Sequence, residues 1–549
     1  MPPKKRAADD EGHEAKTSDF KKYIAAYAAT STARTSSLSK LQETVVKKEE
    51  PDNAGLIVTK NTLMWFRTDL RLQDNTALHA ASIRAKVGNS FLVGLYIISP
   101  EEWRDHDEAP VKIDFWMRNL HCLRESLEKL AIPLVIKTAI HKDDIPGIVQ
   151  SVVEDMYISH VFWNAELLVD ERKRDASVKK ALLARSNVQV EECDDQCIVP
   201  PADVRTKTGN PYAVFTPFYN TWCKLVDSEP HYLELSQTPE RNPPEIRTTF
   251  AQYFDQNPPS SYPHTLDINN MKELYPAGES QAHRRLDSFI KNKASRYQEG
   301  RDIPQLEGTS VLSPYLAAGV ISARQCVAAA RTANKGKLTT GDEGLKTWIK
   351  EVGWREFYRH IVVAFPRVSK SHAFQPKTET VEWSDNEEHF QRWCQGKTGF
   401  PIVDAGMRQL NSIGYMHNRL RMITACFLVK DLLINWQQGE KYFMSQLIDG
   451  DLPSNNGGWQ WSASTGTDAQ PYFRVFNPLL QSQRFDAKGD FIRRWVPELK
   501  SLNDKQIHNP HGVLSPKEFA KLRYPKPIVD HASAKAKYIA EFKRVLALA

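Results

Sequence analysis

Residues 455–478 read Asn-Asn-Gly-Gly-Trp-Gln-Trp-Ser-Ala-Ser-Thr-Gly-Thr-Asp-Ala-Gln-Pro-Tyr-Phe-Arg-Val-Phe-Asn-Pro. The run has neither helical nor strand periodicity, which favours an irregular segment. Its diglycine permits a tight backbone or the close approach of a flat ligand. Trp459 and Trp461 offer large aromatic faces, and Asn455 offers an amide that both donates and accepts hydrogen bonds. A well-packed loop would explain one of these tryptophans, but the whole combination favours a binding site.

The composition is typical of a globular protein with more than one domain. The chain has 549 residues, which suffices for two or more domains and a large core. Its net charge is +6, so nucleic-acid binding would require a local basic patch. The seven scattered cysteines argue against a zinc site or a disulfide scaffold and fit a reducing compartment. No apolar run predicts a membrane span or a signal peptide.

The first 58 residues differ from the rest of the chain. Residues 1–58 are rich in Ala, Ser, Thr, Lys and Glu, which predicts a disordered tail. The basic cluster at residues 4–6 is a weak nuclear import signal, with a solvated tail as the alternative. Acidic residues at 9–14 argue against a mitochondrial transit peptide. The nucleus is therefore the expected location, and the mitochondrion is a secondary alternative.

Strands alternate with helices in residues 59–200. Apolar runs that read as buried strands occur at 62–66, 91–98, 134–137 and 156–163. The stretch 111–130 has helical spacing. This βαβ order predicts an α/β domain with a doubly wound parallel sheet. No Gly-x-Gly-x-x-Gly follows the first strand, so no dinucleotide is expected in this domain.

The remainder of the chain divides into three parts. Residues 201–275 are dense in proline, which predicts a long irregular connector. Residues 276–528 have helical patterns and contain most of the tryptophans, so they predict an all-α domain. Residues 529–549 predict a C-terminal helix without an assigned role.

One predicted helix carries a distinctive face. In the helix expected over 345–365, Glu351, Trp354, Arg355 and Tyr358 are spaced i, i+3, i+4 and i+7. A solvated face with an ion pair is the alternative, but an exposed tryptophan beside a mid-helix glycine disfavours it. The functional interpretation is a pocket wall. The indole would stack on a flat base, the carboxylate would bond its polar edge and the guanidinium would hold a phosphate.

Two other segments concentrate polar side chains. Asn418, Arg419 and Arg421 form a polar cluster inside an otherwise apolar helix, for which an interdomain ion-pair network is the alternative. Thr309, Ser310 and Ser313 precede a predicted helix start, where hydroxyls and free amides can hold a phosphate. Alone, this second segment indicates no more than a helix cap.

These segments are joined near the start by Trp-Phe-Arg-Thr-Asp-Leu-Arg-Leu-Gln-Asp-Asn-Thr-Ala-Leu at 65–78. Together they closely resemble the photolyase and cryptochrome family over residues 60–525, and most of all its class I cyclobutane pyrimidine dimer photolyases. The resemblance implies an antenna-binding α/β domain joined to an all-helical domain that holds FAD. It also implies a carbon–carbon lyase, in which reduced, light-excited flavin passes one electron to a dimer and recovers it after ring splitting.

The resemblance assigns cofactor contacts residue by residue. Asn455 falls where the family faces flavin N5, and an amide there is expected to favour the reduced anionic flavin. Arg421 opposite Asp449 would supply a charge pair beside the ring. The FAD contacts implied are Tyr297, Thr309, Ser310, Val311, Leu312, Ser313, Trp348, Arg355, Asn418, Arg421, Asp449, Gly450, Asp451 and Asn455.

The same resemblance assigns the lesion pocket and an electron relay. A dimer cannot be reached inside a duplex, so photolyases, like other enzymes that act on bases, must flip it out. The catalytic residues implied are Glu351, Trp354, Met422, Asn455 and Trp461. Besides Glu351, Trp354 and Trp461, the residues expected to contact DNA are Arg301, Arg419 and Arg474. The relay tryptophans are Trp459, Trp436 and Trp383, for which core packing is the alternative.

Sequence differences within the family favour dimer repair. The (6-4) photolyases and animal cryptochromes carry a histidine pair where this chain has His417-Asn418, and Trp-Met-Trp where it has Trp-Gln-Trp at 459–461. A plant-type cryptochrome is expected to carry aspartate at position 455. Repair of dimers in UV-damaged DNA by a monomer is therefore expected. A cryptochrome-like photoreceptor that signals through protein partners is the alternative.

The antenna is the least determined part of the resemblance. Glu171, which follows the fourth strand, and Lys370 match residues that contact methenyltetrahydrofolate in folate-type members. A carboxylate is a reasonable hydrogen-bonding match for a pterin edge. A deazaflavin and the absence of an antenna stay open, and an ordinary surface ion pair is the alternative for Glu171.

Overall fold

The first domain is built on a five-stranded parallel sheet. The computed structural model describes residues 60–185 and 188–547, so the predicted tail 1–58 lies outside the described residues. The strands are arranged β3-β2-β1-β4-β5, and every neighbouring pair is parallel. Strand β5 is missing from the prediction because its sequence, Gln-Val-Glu-Glu-Cys, has little apolar character. Strands β1 to β5 are Asn61–Phe66, Leu92–Ile98, Leu134–Thr138, Ile158–Asn164 and Gln189–Cys193.

Helices cover both faces of this sheet. In β1, Leu63 and Trp65 lie in one hydrophobic core, whereas Met64 and Phe66 lie in another. Because side chains alternate along a strand, two buried faces require a helical layer on each side. The doubly wound α/β prediction is therefore confirmed. Helices α1 to α5 are Thr76–Val87, Pro100–Asp105, Pro110–Lys129, Ile145–Asp155 and Val169–Arg185.

The connector is more ordered than its proline content predicts. Phe215, Phe218 and Trp222 on its longest helix are buried in a core shared with the second domain. Pro217 is the third residue of that helix, where the backbone N–H has no intrahelical acceptor, so the missing donor costs nothing. The prediction of an irregular connector is thus wrong for this helix. Helices α6 to α9 are Phe215–Ser228, Ile246–Thr249, Ala251–Phe254 and Ile268–Leu274.

The second domain is entirely helical within the described residues. The predicted C-terminal helix is present as α24, and its Tyr538, Phe542 and Val545 are buried in a second core. None of the described helices combines the length and apolar character needed to cross a membrane. Helices α10 to α24 are Glu279–Asn292, Tyr297–Gly300, Ser313–Ala317, Ala323–Ala333, Glu343–Ala364, Glu387–Cys394, Pro401–Ile413, Asn418–Cys426, Trp436–Gln446, Leu452–Ala463, Pro478–Phe485, Asp490–Trp495, Pro510–Val513, Pro516–Lys521 and His531–Ala547.

The aromatic run at 455–463 is helical, because it belongs to α19. The expectation of an irregular segment is therefore wrong here. Gln460 is buried in the interior, Trp459 is buried at the wall of a cavity, and Asn455 and Trp461 line the same cavity. A helix that is covered on several sides needs no single apolar stripe, so its period is invisible in the sequence.

The two glycines of α19 have different surroundings. A Cβ on Gly457 would lie 2.2 Å from the ring of Tyr358, so the glycine allows α14 and α19 to approach closely. A Cβ on Gly458 would have no neighbouring atom within 4 Å, and this residue lines the cavity. One glycine therefore serves helix packing, and the other leaves space beside the candidate site.

Candidate functional site

A cavity of about 450 Å³ opens within the helical domain. Its size falls in the range of sites that hold small molecules and cofactors. It brings together residues from α14, α17 and α19 and from the segments between helices. The sequence-predicted site residues that line it are Arg301, Ser313, Glu351, Trp354, Arg355, Asn418, Arg421, Met422, Asp449, Asp451, Asn455, Trp459 and Trp461.

The distinctive face of α14 forms one wall, as its spacing predicts. Glu351, Trp354, Arg355 and Tyr358 all line the cavity. The Glu351 carboxylate accepts a hydrogen bond from the Arg301 guanidinium. Burial raises the pKa of Glu351, and the positive charge of Arg301 opposes that rise. The Arg301 guanidinium thus holds the Glu351 carboxylate at the cavity wall.

Trp354 is backed by an aromatic ring that the sequence analysis does not single out. The Phe215 ring stacks on the indole with centroids 3.6 Å apart and planes 7° apart. Phe215 is itself 2% exposed. It belongs to the proline-rich connector, so no periodicity connects it with the site. The phenyl ring covers one face of the indole, and the half-buried indole lines the cavity.

Arg355 has more donors than protein acceptors. Its Nη1 donates to the Gln196 carbonyl at 3.3 Å and lies 3.8 Å from the Glu356 carboxylate. Burial, followed by the neighbouring Arg359 guanidinium, lowers the pKa of Arg355. A guanidinium carries five N–H donors, so this environment favours an anionic ligand.

Asp451 is the acidic counterpart of this arginine pair. Arg359 donates to its carboxylate at 2.8 Å. Burial raises the pKa of Asp451, but the charges of Arg359 and Arg355 outweigh that effect and hold it below its ordinary value. Asp451 therefore stays ionised, and it places one negative charge at the cavity wall.

Arg421 and Asp449 form the expected charge pair. One Arg421 nitrogen donates to both carboxylate oxygens, at 3.0 and 2.8 Å. The polar cluster lies inside a helix, as expected, and occupies the first turn of α17. Asn418 is the first residue of α17, and His417 Nδ1 caps the helix by accepting from the Arg419 N–H at 3.2 Å. The capping imidazole explains why the helix begins there.

The Asn455 amide is oriented by a neighbouring helix. Its Nδ2 donates to the backbone carbonyl of Glu440 at 3.0 Å. The next residue, Asn456, donates from its own Nδ2 to the Glu440 carboxyl at 2.8 Å. Burial raises the pKa of Glu440 to about 7. With its nitrogen engaged, Asn455 retains its carbonyl oxygen as an acceptor at the cavity wall.

The segment expected to contact a diphosphate has a strained backbone. Val311 has φ +50°, which is rare for a β-branched residue and is often found at functional sites. Ser310 accepts a hydrogen bond from the Trp348 indole at 3.4 Å. The expected hydroxyl cap is absent, because α12 begins at Ser313 and its cap residue, Leu312, has no such oxygen.

Some expected cofactor residues lie outside the cavity wall. Ser313 lines the cavity, whereas Tyr297, Trp348 and residues 309–312 do not. Tyr297 is buried, and the Arg301 guanidinium lies 5.6 Å from the centre of its ring. Gly450 lines a separate small cavity. Lining residues from outside the predicted site are Ala425, Phe443, Leu447, Ser454 and Ser462. Several are apolar and read as ordinary core positions.

The three expected relay tryptophans lie at different depths. Trp459 is buried at the cavity wall, and its ring centre is 6.0 Å from that of Trp393. Trp436 is buried at the start of α18. Trp383 is partly buried and contacts Phe542 of α24 at 6.4 Å. Trp393 is a further aromatic neighbour of Trp459, and its sequence position indicates only a core residue. The relay order stays a prediction.

The arginines expected to contact DNA differ in their surroundings. Arg301 pairs with Glu351, and Arg419 pairs with Asp302 at 2.8 Å. Arg474 is exposed. The first two would have to leave or share their carboxylates to contact phosphates, whereas the third is accessible as it stands.

The two expected antenna residues have separate partners. Lys370 forms an ion pair with Asp170, not with Glu171. Glu171 lies 3.6 Å from His106, and burial raises its pKa to about 7. Two small cavities of about 100 and 90 Å³ share Glu171 and Trp116 in their walls. The structure therefore places Glu171 at a cleft and Lys370 in a surface ion pair.

Three potential metal ligands also meet in the described part of the chain. Cys197, Glu356 and His360 are buried, with ligand atoms within 4.8 Å of one another. One Glu356 oxygen accepts from the Ile198 N–H at 2.8 Å, and His360 lies 3.0 Å from the Val199 carbonyl. These contacts engage two of the three side chains with the segment before the connector, so the cluster serves packing.

Two family models match the chain. The FAD binding domain of DNA photolyase matches residues 348–544, and the DNA photolyase model matches residues 62–242. A protein of Neurospora crassa, named deoxyribodipyrimidine photo-lyase, is 43% identical over 510 residues, covering 90% of this chain and 83% of its own. The Escherichia coli K12 protein of the same name is 43% identical over 486 residues, covering 88% and 98%.

Solved structures show the same fold. A bacterial class III photolyase from Agrobacterium tumefaciens is 33% identical, with a TM-score of 0.76 over 90% of this chain and 100% of its own. An archaeal photolyase from Sulfolobus tokodaii, solved with two FAD molecules, is 27% identical, with a TM-score of 0.69 over 88% and 99%. This chain therefore belongs to the DNA photolyase family.

Proposed function

We propose that the chain is a deoxyribodipyrimidine photo-lyase, which repairs cyclobutane pyrimidine dimers in DNA by light. The observation that carries this function is the shared cavity. Glu351, Trp354 and Trp461 line the same space as Asn455 and Arg421. The residues expected to hold a lesion thus face those expected to hold a flavin. The names of the Neurospora and Escherichia relatives support the same reaction, and nothing in the cavity favours the cryptochrome alternative.

The cavity residues fit FAD. Arg355 has spare donors for a diphosphate, and the Arg421–Asp449 pair supplies balanced charge beside a polar ring edge. Ser310 and Val311 are proposed to contact the diphosphate from the strained segment. Bound in its reduced, light-excited form, FAD would supply the dimer with one electron that returns after ring opening.

Asn455 supports the reduced anionic state of that flavin. Because its amide nitrogen already donates to the Glu440 carbonyl, its oxygen is left to accept. An acceptor at this position stabilises a flavin whose N5 carries a proton, as reduced flavin does. An amide reoriented to present its nitrogen would lose this selectivity, because it would donate instead of accept.

The lesion is proposed to enter flipped out of the duplex. Trp354 and Trp461 offer aromatic faces for its bases, and stacking of this kind contributes roughly 1–3 kcal/mol per base. Glu351 lines the cavity beside Trp354 and can hydrogen-bond the polar edge of a pyrimidine. Arg474, being exposed, is the readiest contact for a backbone phosphate.

An antenna is proposed at the cleft beside Glu171, with methenyltetrahydrofolate as its ligand. The polar edge of a pterin suits a carboxyl whose pKa is about 7, because such a group both donates and accepts near neutrality. Lys370 would take part only after leaving Asp170. Chromophores extracted from the purified protein should absorb as FAD and a folate. A flavin spectrum alone would contradict the folate.

We also propose that the protein acts as a monomer in the nucleus, with Trp459, Trp436 and Trp383 as its photoreduction relay. These assignments rest on the family resemblance and on the basic cluster at residues 4–6. A sedimentation measurement tests the first, and imaging of the chain with and without residues 1–55 tests the second. Oxidised flavin that still photoreduces in a Trp436→Phe variant would contradict the relay.

The repair assay tests the function itself. Purified protein with fully reduced FAD is mixed with DNA that carries one thymine dimer, and dimer loss is measured under near-UV or blue light and in the dark. Dimer loss only in the light is expected. A protein with reduced FAD that restores no dimers in the light would contradict the proposal.

A further inference from the structure

The segment 464–474 begins three residues after Trp461. Both of its ends form hydrogen bonds with one buried cation. Lys430, which is completely buried, donates from Nζ to the Ser464 hydroxyl at 3.0 Å and to the Arg474 carbonyl at 3.0 Å. A buried ammonium needs acceptors for its donors, so these two contacts stabilise the fold of the segment. We call residues 464–474 the rim segment.

The middle of the rim segment reaches across to the connector. Asp468 accepts a hydrogen bond from the Phe215 N–H at 3.1 Å. Thr467 donates to the Ala213 carbonyl at 2.6 Å. Phe215 is the first residue of α6, and its N–H has no acceptor within that helix. Asp468 thus caps α6 from a distant part of the chain, and its negative charge suits the helix N-terminus.

Phe215 connects the capped end of α6 with the cavity wall, because its ring contacts Trp354. Its ring stacks on Trp354 at 3.6 Å and 7°. Two further rings hold it, since Tyr219 stacks at 5.4 Å and Phe357 makes an edge contact at 5.7 Å. With its backbone capped and its ring packed on several sides, Phe215 has little freedom to move. The plane of the Trp354 indole is therefore set by the connector.

We infer that Phe215 and Asp468 are positioning residues for the lesion pocket. Through them, the segment that begins just after Trp461 fixes the orientation of Trp354, so one structural unit determines both aromatic walls. Neither residue lines the cavity. This inference rests on the proposed function and adds residues that act on lesion recognition through another side chain. Their loss should weaken selective binding of the dimer, while FAD binding and binding to undamaged DNA persist.

The central test is a double-mutant cycle. Affinities for dimer-containing and undamaged DNA are measured in the dark for the FAD-loaded wild type, Phe215→Leu, Trp354→Ala and the double variant. Phe215→Leu should weaken dimer binding roughly 5- to 20-fold, a part of the stacking contribution of one base. In the Trp354→Ala background the same change should alter dimer binding by less than about twofold. Equal losses in both backgrounds would overturn the inference.

Phe218→Leu is the matched control. Phe218 lies on the same helix, is equally buried and contacts Phe357 and His360. It is not stacked on the indole, so it should leave lesion selectivity within about twofold of the wild type. A selective loss as large as that of Phe215→Leu would overturn the inference, because general loosening of α6 would then explain both.

Variants of Asp468 provide a second, independent test of the inference. Asp468→Asn keeps an oxygen that can cap α6 and tolerates the left-handed backbone at φ +46°. It should bind dimers nearly as the wild type does, whereas Asp468→Ala should lose selectivity severalfold. Equal behaviour of the two variants would contradict the role of the cap. A wild type that binds both DNAs equally would overturn the proposed function as well, whereas a selective wild type without coupling overturns this inference alone.

Discussion

Replacing Trp461 with alanine removes one of the two tryptophans that are proposed to contact the lesion. Trp461 is half-buried, lines the cavity and packs against the second hydrophobic core. Asn455 and the Arg421–Asp449 pair lie elsewhere in the wall and keep their contacts in this variant. We therefore expect FAD to remain bound while the preference for damaged DNA falls.

The size of this effect follows from the stacking lost. One indole face stacks on one base, which contributes roughly 1–3 kcal/mol. Since about 1.4 kcal/mol corresponds to a factor of ten, dimer affinity should fall roughly 5- to 150-fold. Affinity for undamaged DNA, which is proposed to depend on arginines such as Arg474, should change by less than about threefold.

The assay measures binding of both DNAs in the dark at fixed salt, together with the flavin absorbance of each variant. Trp461→Phe keeps an aromatic face and should retain most of the selectivity. Trp495→Ala is the matched control, because Trp495 is also half-buried in the helical domain but does not line the cavity. Loss of FAD from Trp461→Ala, or unchanged dimer selectivity, would refute the assignment of Trp461 to the lesion pocket.

Three further perturbations test other parts of the site. Gly457→Ala places a Cβ 2.2 Å from a tyrosine ring and should lower stability by about 1–3 kcal/mol in thermal unfolding, whereas Gly458→Ala should not. Arg421→Ala leaves the Asp449 carboxylate buried without its partner, which should cost about 3–5 kcal/mol and release FAD; absorbance of the purified variant measures the latter. Burial raises the pKa of Glu440 to about 7, so its ionisation penalises the folded state, and stability should fall as pH rises from about 5 to 8.

Each of these perturbations has a result that would contradict it. Equal melting temperatures for the two glycine variants would show that the close helix approach is not limiting. Full FAD content in Arg421→Ala would remove the charge pair from the cofactor site. For the pH effect, Glu440→Gln should lack the decline, which amounts to about 3 kcal/mol in the wild type. An identical pH dependence in both proteins would assign the decline to other groups.

Local periodicity predicts part of the site well. The face of α14 is readable because positions i, i+3, i+4 and i+7 share a side of any helix. The parallel sheet is readable because strands buried on both faces are continuous apolar runs. Strand β5 is not predicted in this way, because a strand with two glutamates is not a continuous apolar run. The family resemblance supplies the roles of Asn455 and Trp461, which chemistry alone only makes plausible.

The remaining features depend on contacts between distant segments. Helix α19 lacks an apolar stripe because it is covered on several sides, so its sequence reads as irregular. Phe215 stacks on Trp354. Because Phe215 belongs to the proline-rich connector, no local sequence pattern predicts this contact. The acceptor orientation of Asn455 is set by the Glu440 carbonyl, which belongs to another helix. Tertiary packing decides all three, and a single sequence does not display it.

A crystal structure of the protein with FAD and a dimer-containing duplex would show directly whether one cavity holds both the flavin and the lesion. We expect FAD in the cavity, with Asn455 accepting a hydrogen bond at the flavin ring. We also expect a flipped-out dimer that contacts Glu351 and lies against Trp354 and Trp461. A dimer that stays stacked in the duplex, or a flavin bound outside this cavity, would contradict this expectation.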